Sequence, residues 1–394
     1  MKNETNYQNQ PAILCLSHLR WNFVFQRPQH LMSRFAKDRL VYFVEEPVYH
    51  EGEPALKTVV CPQTGVNVVT PHLRNNRNTR RTLERLLTGF VQDQNLTASV
   101  AWFYTPMALQ FFPKNMNPAA IVYDCMDELS MFRNAPSHLV ALEKQLLRQA
   151  DVVFTGGVSL FEAKRSLHRN IHAFPSGVDV HHFQKARGLE GEYREQQGIA
   201  RPRLGFAGVI DERMDLELIG EVARRRPEWQ LIMIGPTAKI APEALPRESN
   251  IHWLGMRDYK ELPHYFAGWD VAIMPFALND STRFISPTKT PEFLVAGLPV
   301  VSTPIRDVVR PYGELGMVRI AATPEEFIEA VDCSLAVGMG MKWRERADEY
   351  LKTLSWDSVW DGMNRKLTAS LRPEKTMTAG SGPLASAVPG VARV

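Results

Sequence analysis

The chain has 394 residues, 44% of them hydrophobic and 23% charged, and carries a formal net charge of +3. That length accommodates two domains with substantial cores, and the mild charge gives no argument for a nucleic-acid partner. Four cysteines, at 15, 61, 125 and 333, show no C-x-x-C or metal-ligand spacing, which argues against a disulfide framework or zinc site and fits a reducing cytoplasm.

The first ten residues are polar and no apolar run reaches membrane-spanning length, so neither an export leader nor a spanning helix is expected. AILCLSHL at 12–19 is a short apolar run ending in polar residues, the pattern of a buried parallel strand whose carboxyl end opens into a site. The next stretch mixes aromatics with Arg20, Arg27, Gln29 and His30, and a helix is expected from about Pro28. No G-x-G-x-x-G follows the strand, which removes the main support for a nicotinamide dinucleotide. LVYFVEEP and residues 66–70 read as further strands. If the basic segment HLRNNRNTRRTLERLL is helical, Arg74, Arg77, Arg81 and Arg85 gather on one side and Leu83, Leu86, Leu87 and Phe90 on the other. It is then either a surface helix packed by its leucines or one whose arginines also meet anionic lipid.

SVAWFYTP and AAIVYDCMDELSMF both end apolar runs at polar residues, as parallel strands of a doubly wound sheet do. Asp124, Asp127 and Glu128 therefore fall at the carboxyl end of a strand. A carboxylate there is placed to act as a general base, with Asp127 the first choice; Asp124 also suits a structural role held by backbone N–H groups. A helix over 137–150, the strand DVVFTGG, a helix over 158–167 and a strand in IHAFPSGVD complete an alternating α/β domain. Residues 184–200 read as a polar linker.

A second series of the same type follows. A strand runs to about Val209, a helix covers 216–225, and EWQLIMIGP, NIHWLGM and DVAIMPF are strands, the last two separated by a helix in YKELPHYFAGW. Next comes FISPTKTPEFLVAGLPVVSTP at 284–304. Thr288 suits an N-cap, Pro291 would fall at N3, and Gly297 would close a helix of roughly two turns before a buried strand. Lys289 and Glu292, three apart, share one face near the helix N-terminus. Amides and a lysine suit a diphosphate, and a carboxylate offers two acceptors to the paired hydroxyls of a ribose. The ordinary alternative is a solvated surface pair. Two helical segments end the chain, with Trp356 and Trp360 four apart on one face, and 372–394 is rich in Gly, Pro, Ala and Ser.

The pattern S-P-x-K-x-x-E-F-L-x-A-G-x-P-V-V, from Ser286 to Val301, resembles the donor-site segment of bacterial GT-B glycosyltransferases, especially the family-4-like enzymes of surface polysaccharide synthesis. FPSGVDVHHF at 174–183 resembles that family's hinge. The resemblance implies an α/β fold of two Rossmann-like doubly wound parallel-sheet domains facing a cleft. Residues 11–180 would form the acceptor-side domain and 201–355 the nucleotide-sugar domain. Residues 356–371 would be a helix crossing back onto the first domain, followed by a disordered tail at 372–394. It implies donor contacts from Arg213, Met256, Ser286, Thr288, Lys289 and Glu292, with Arg213 at the diphosphate and Met256 at the base. It makes Arg20, Trp21 and Arg27 candidates for the cleft; the alternative is a core tryptophan and surface arginines. The second glutamate that the family places eight residues before the ribose-binding one is here Phe284.

The activity so implied is transfer of a sugar from a UDP- or GDP-linked donor to a saccharide or lipid-linked acceptor, without cofactor or metal. The enzyme would be cytoplasmic, with a peripheral site at the inner membrane face. A nucleotide-sugar 2-epimerase and a non-catalytic sugar-nucleotide-binding subunit of a polysaccharide assembly complex are the competing readings.

Overall fold

A computed structural model describes residues 10–189, 194–337 and 340–372. The first sheet contains β1 (Ile13–Leu16), β2 (Val41–Val44), β3 (Val48–Tyr49), β4 (Ala55–Val60), β5 (Asn67–Leu73), β6 (Val100–Phe103), β7 (Ala120–Cys125), β8 (Val152–Thr155) and β9 (Ile171–Ala173). Their order in space is β3-β5-β2-β1-β6-β7-β8-β9, with β4 on β5. β1 lies between β2 and β6, parallel to both. Covered on both faces by helices, it is uniformly apolar and buried. The second sheet has the order β12-β11-β10-β13-β14-β15, from β10 (Arg203–Ala207), β11 (Gln230–Ile234), β12 (Ile251–Gly255), β13 (Val271–Met274), β14 (Val300–Ser302) and β15 (Arg319–Ile320), all parallel. In each sheet the order reverses beside the first strand of the domain, and the carboxyl ends of both sheets open toward the cleft.

Two local expectations are corrected and two strands are added. The segment after β2 adds β3 and an antiparallel β4, whose Val59 and Val60 are exposed; edge strands lack the apolar contrast that marks β1. The basic helix starts only at Thr79 and runs to Asp93, burying Leu83, Leu87 and Val91. Arg74 and Arg77 therefore both lie ahead of it, Arg74 bonded to the carbonyls of Glu51 and Gly52 and to the Glu53 carboxylate. The described parts of the stretch expected as linker are docked: Arg187 pairs with Asp348, and buried Gln196 accepts the indole N–H of Trp269.

The chain passes between domains near Val178 and returns near Ser355, and the two passages pair with each other, with the Val178 N–H donating to the Leu354 carbonyl at 2.8 Å. The final helix, Trp356–Ala369, buries Trp356, Val359, Met363 and Leu367 in the core of the first domain. This is the crossing-back expected from the sequence, and Trp360, half-buried, packs beside them. Arg372, the first residue of the expected tail, is tied to Asp151; the rest of that tail lies outside the described residues.

The domains also meet across the cleft. Asp307 of the second domain accepts the N–H groups of Val158 and Ser159, each at 2.9 Å, and so caps the helix Val158–Lys164 of the first. Gly157 permits this approach, because a Cβ there would stand 2.2 Å from the Asp307 carboxylate.

Candidate active site

Two adjoining cavities lie between the domains. The larger, about 470 Å³, is walled by Trp21, Phe23 and Phe25 of the first domain and by Gly235, Met256 and Tyr259 of the second. The smaller, about 150 Å³, is lined by Arg27, Asp127, Arg213, Ser286 and Thr288. Lys289 lines both, so the two form one trough with the lysine at its middle.

The helix Lys289–Ala296 is buried from Thr290 onward because its sequence is apolar nearly all round, and Gly297 ends it in the left-handed conformation at φ 84°. Thr288 occupies the N-cap position but makes no capping hydrogen bond, which leaves the helix N-terminus without a side-chain cap. Lys289 Nζ stands 2.5 Å from Glu292 Oε2, with side chains only 17% and 6% exposed. The solvated surface pair is therefore excluded. Burial pushes the Glu292 carboxyl up, opposed by Lys289.

The first-domain acids divide by partner. Asp124, fully buried, is held by the Arg27 guanidinium at 2.9–3.1 Å rather than by backbone N–H groups. Arg27 is itself buried and also donates to the Phe174 carbonyl at 2.7 Å, near the hinge. Glu128 turns away from the trough to Lys164 at 2.6 Å, in a cluster with Glu143. Asp127 remains: its carboxylate accepts no hydrogen bond among the described residues, and it faces the smaller cavity. Burial raises its pKa, while Arg213, the strongest opposing charge, lowers it.

Arg213 Nε and Nη2 grip Asp211 at 2.7–3.1 Å, and Phe132 of the first domain lies 5.6 Å beneath the guanidinium. Asp211 escaped the sequence reading although it stands two residues from Arg213; partner choice is set by rotamers, not spacing. Trp21 is both core and cavity wall, packed edge-on against Phe43 at 5.0 Å. Arg20 lines neither cavity and donates to the Pro47 carbonyl. Met256 is 45% exposed at the mouth of the larger cavity. Phe284 also lines neither; it packs on an apolar cluster of the first domain, and the Arg283 guanidinium covers its ring at 5.3 Å. The trough thus brings together Asp127, Arg213, Ser286, Thr288 and Lys289, with Glu292 ion-paired to the last.

Residues 201–336 match the family described as glycosyl transferases group 1. TuaH of Bacillus subtilis (strain 168), a protein assigned provisionally to teichuronic acid biosynthesis as a glycosyltransferase, is 26% identical over 259 residues. The alignment covers 61% of this chain and spans 64% of the length of that relative. Among solved structures, sucrose-phosphate synthase from Thermosynechococcus elongatus superposes with a TM-score of 0.68 at 13% identity, covering 92% of this chain and 100% of that one. HepE of Anabaena, in complex with UDP and glucose, superposes with a TM-score of 0.65 at 14% identity over 91% of this chain and 100% of its own.

Proposed function

We propose that this chain, whose residues 201–336 match the glycosyl transferases group 1 family and whose two domains form a GT-B fold, moves a sugar from a nucleoside diphosphate sugar to a saccharide or lipid-linked acceptor in surface polysaccharide synthesis. The observation that carries this reading is the trough, in which Lys289 joins a nucleoside-sized cavity to a smaller one holding Arg213 and Asp127.

The larger cavity takes the nucleoside of a UDP- or GDP-linked donor, with Met256 at the base and Glu292 at the ribose. Lys289, Arg213 and the uncapped helix N-terminus, with Ser286 and Thr288 beside it, meet the diphosphate and the charge that grows on it as the glycosidic bond breaks. Those groups supply that stabilisation without a metal or cofactor. The acceptor approaches from the first domain, where Asp127 takes the proton of the attacking hydroxyl. The interdomain contacts shield the reacting carbon from water that would hydrolyse the donor.

Product analysis tests this. The purified protein, given UDP- and GDP-sugars with lipid-linked or oligosaccharide acceptors, is expected to release nucleoside diphosphate in proportion to acceptor glycosylated. Donor interconversion without acceptor would identify an epimerase, and binding without either reaction a non-catalytic subunit.

For location, we propose a cytoplasmic enzyme that sits peripherally on the inner membrane face through Arg77, Arg80, Arg81 and Arg85, all exposed. Among the described residues no helix is long and apolar enough to cross a membrane. Each near-surface arginine contributes about 1 kcal/mol on an anionic bilayer. Co-sedimentation with anionic vesicles is expected to fall with added salt and with Arg77→Glu plus Arg81→Glu. Binding that ignores salt, or no binding, overturns this location.

A further inference from the structure

We propose that Tyr259 is a nucleoside-binding residue whose hydroxyl donates to a ribose oxygen while Glu292 accepts from the same diol. This rests on the larger cavity being the nucleoside site and adds to it a second, neutral contact.

Tyr259 opens the short turn Tyr259–Glu261 beyond β12 and forms part of the cavity wall. Its ring is fixed by residues from the rest of the molecule. His182 of the hinge stacks on it at 4.5 Å, 10° from parallel, and a ring nitrogen of the same histidine lies 2.9 Å from the Tyr259 backbone carbonyl. Phe25 of the first domain lies 5.0 Å away and meets His30 edge-on at 4.7 Å; His30 in turn stacks on Trp356 of the returning helix at 4.4 Å. A ring so gripped has little freedom to redirect its hydroxyl.

That hydroxyl is buried and has no hydrogen-bond partner among the described residues. Buried polar groups are nearly always paired, so an orphan hydroxyl just beneath the wall of a binding cavity, on a residue that lines it, points to a partner that arrives with the ligand. Glu292 and Asp179 are the anionic groups acting on Tyr259. The chemistry of a diol completes the case. A carboxylate only accepts, so the ribose hydroxyls that donate to Glu292 retain oxygen lone pairs in need of a donor. A phenol held beside them supplies it.

Titration calorimetry with UDP, GDP, ADP and CDP, and with the 2′-deoxy and 3′-deoxy forms of whichever binds, tests the assignment. Wild type is expected to prefer the ribonucleotide over at least one deoxy form by about tenfold or more, the scale of one lost hydrogen bond in a buried site. Tyr259→Phe, which removes one oxygen and keeps the aromatic packing, is expected to weaken ribonucleotide binding about 5- to 20-fold and to shrink that preference. If wild type binds none of the four, the nucleoside reading of the cavity falls. If wild type binds and Tyr259→Phe matches it, or the variant keeps the full ribose preference, the role of Tyr259 alone is overturned. A wild type indifferent to both deoxy forms overturns it without any variant.

Discussion

Asp127→Asn is expected to lower turnover by about two to four orders of magnitude while leaving donor affinity unchanged, the range for removal of a general base. Of the three acids at the carboxyl end of β7, Asp124 is held by Arg27 and Glu128 by Lys164. Of these, only Asp127 lies on the wall of the smaller cavity with a carboxylate that accepts no hydrogen bond among the described residues. Asparagine keeps its shape and removes its basicity. Burial raises the pKa of Asp127, against the pull of Arg213. The protonated acid cannot accept a proton, so kcat/KM should rise with pH through the pKa of Asp127, and that limb should vanish in the Asn variant. A base at this place belongs to direct displacement, so the product's anomeric configuration, read by NMR, should be inverted. Retained configuration, or near-normal turnover in Asp127→Asn, removes Asp127 from the role.

What could be read in advance divides along physical lines. β1 and the helix Leu216–Arg225 were legible because burial on two faces and on one face leaves distinct periodicities. Gly297 ended its helix as expected because few other residues tolerate its backbone angle. β3 and β4 were not legible, being edge strands with mixed exposure. The buried ion pairs were hidden for another reason: Arg27 and Asp124 are 97 residues apart, and only the parallel order of β1, β6 and β7 brings the start of one helix beside the end of another strand. Arg27 does line the smaller cavity, as a cleft residue would; what the distance hid is its partner. Its charge is neutralised by Asp124 at the wall of the trough, where it fixes the strand end that leads to Asp127.

Glu292→Ala is expected to cost about 1.5–3 kcal/mol of nucleotide affinity, roughly a 10- to 150-fold rise in Kd, because a buried carboxylate accepting from a diol makes charge-assisted hydrogen bonds. Lys289→Ala should act differently: on the proposed donor placement the ammonium faces the diphosphate and reaches the ribose only through Glu292, so its loss should weaken a nucleoside diphosphate more than the bare nucleoside. The 2.5 Å contact between the two side chains adds a pH signature. Burial already raises the pKa of Glu292 and Lys289 opposes it, so loss of the lysine raises that pKa further. In Lys289→Ala, nucleoside affinity should therefore recover as pH rises and Glu292 ionises. Stability should move the other way. A carboxyl that holds its proton more tightly folded than unfolded favours the folded state at acid pH, and this contribution is lost as pH rises through the raised folded value. Calorimetric titrations with nucleoside and diphosphate, and melting curves across the same pH range, measure both slopes. Equal losses of nucleoside and diphosphate at Lys289, or unchanged binding at Glu292, would show that the pair is only a buried strut of the second domain.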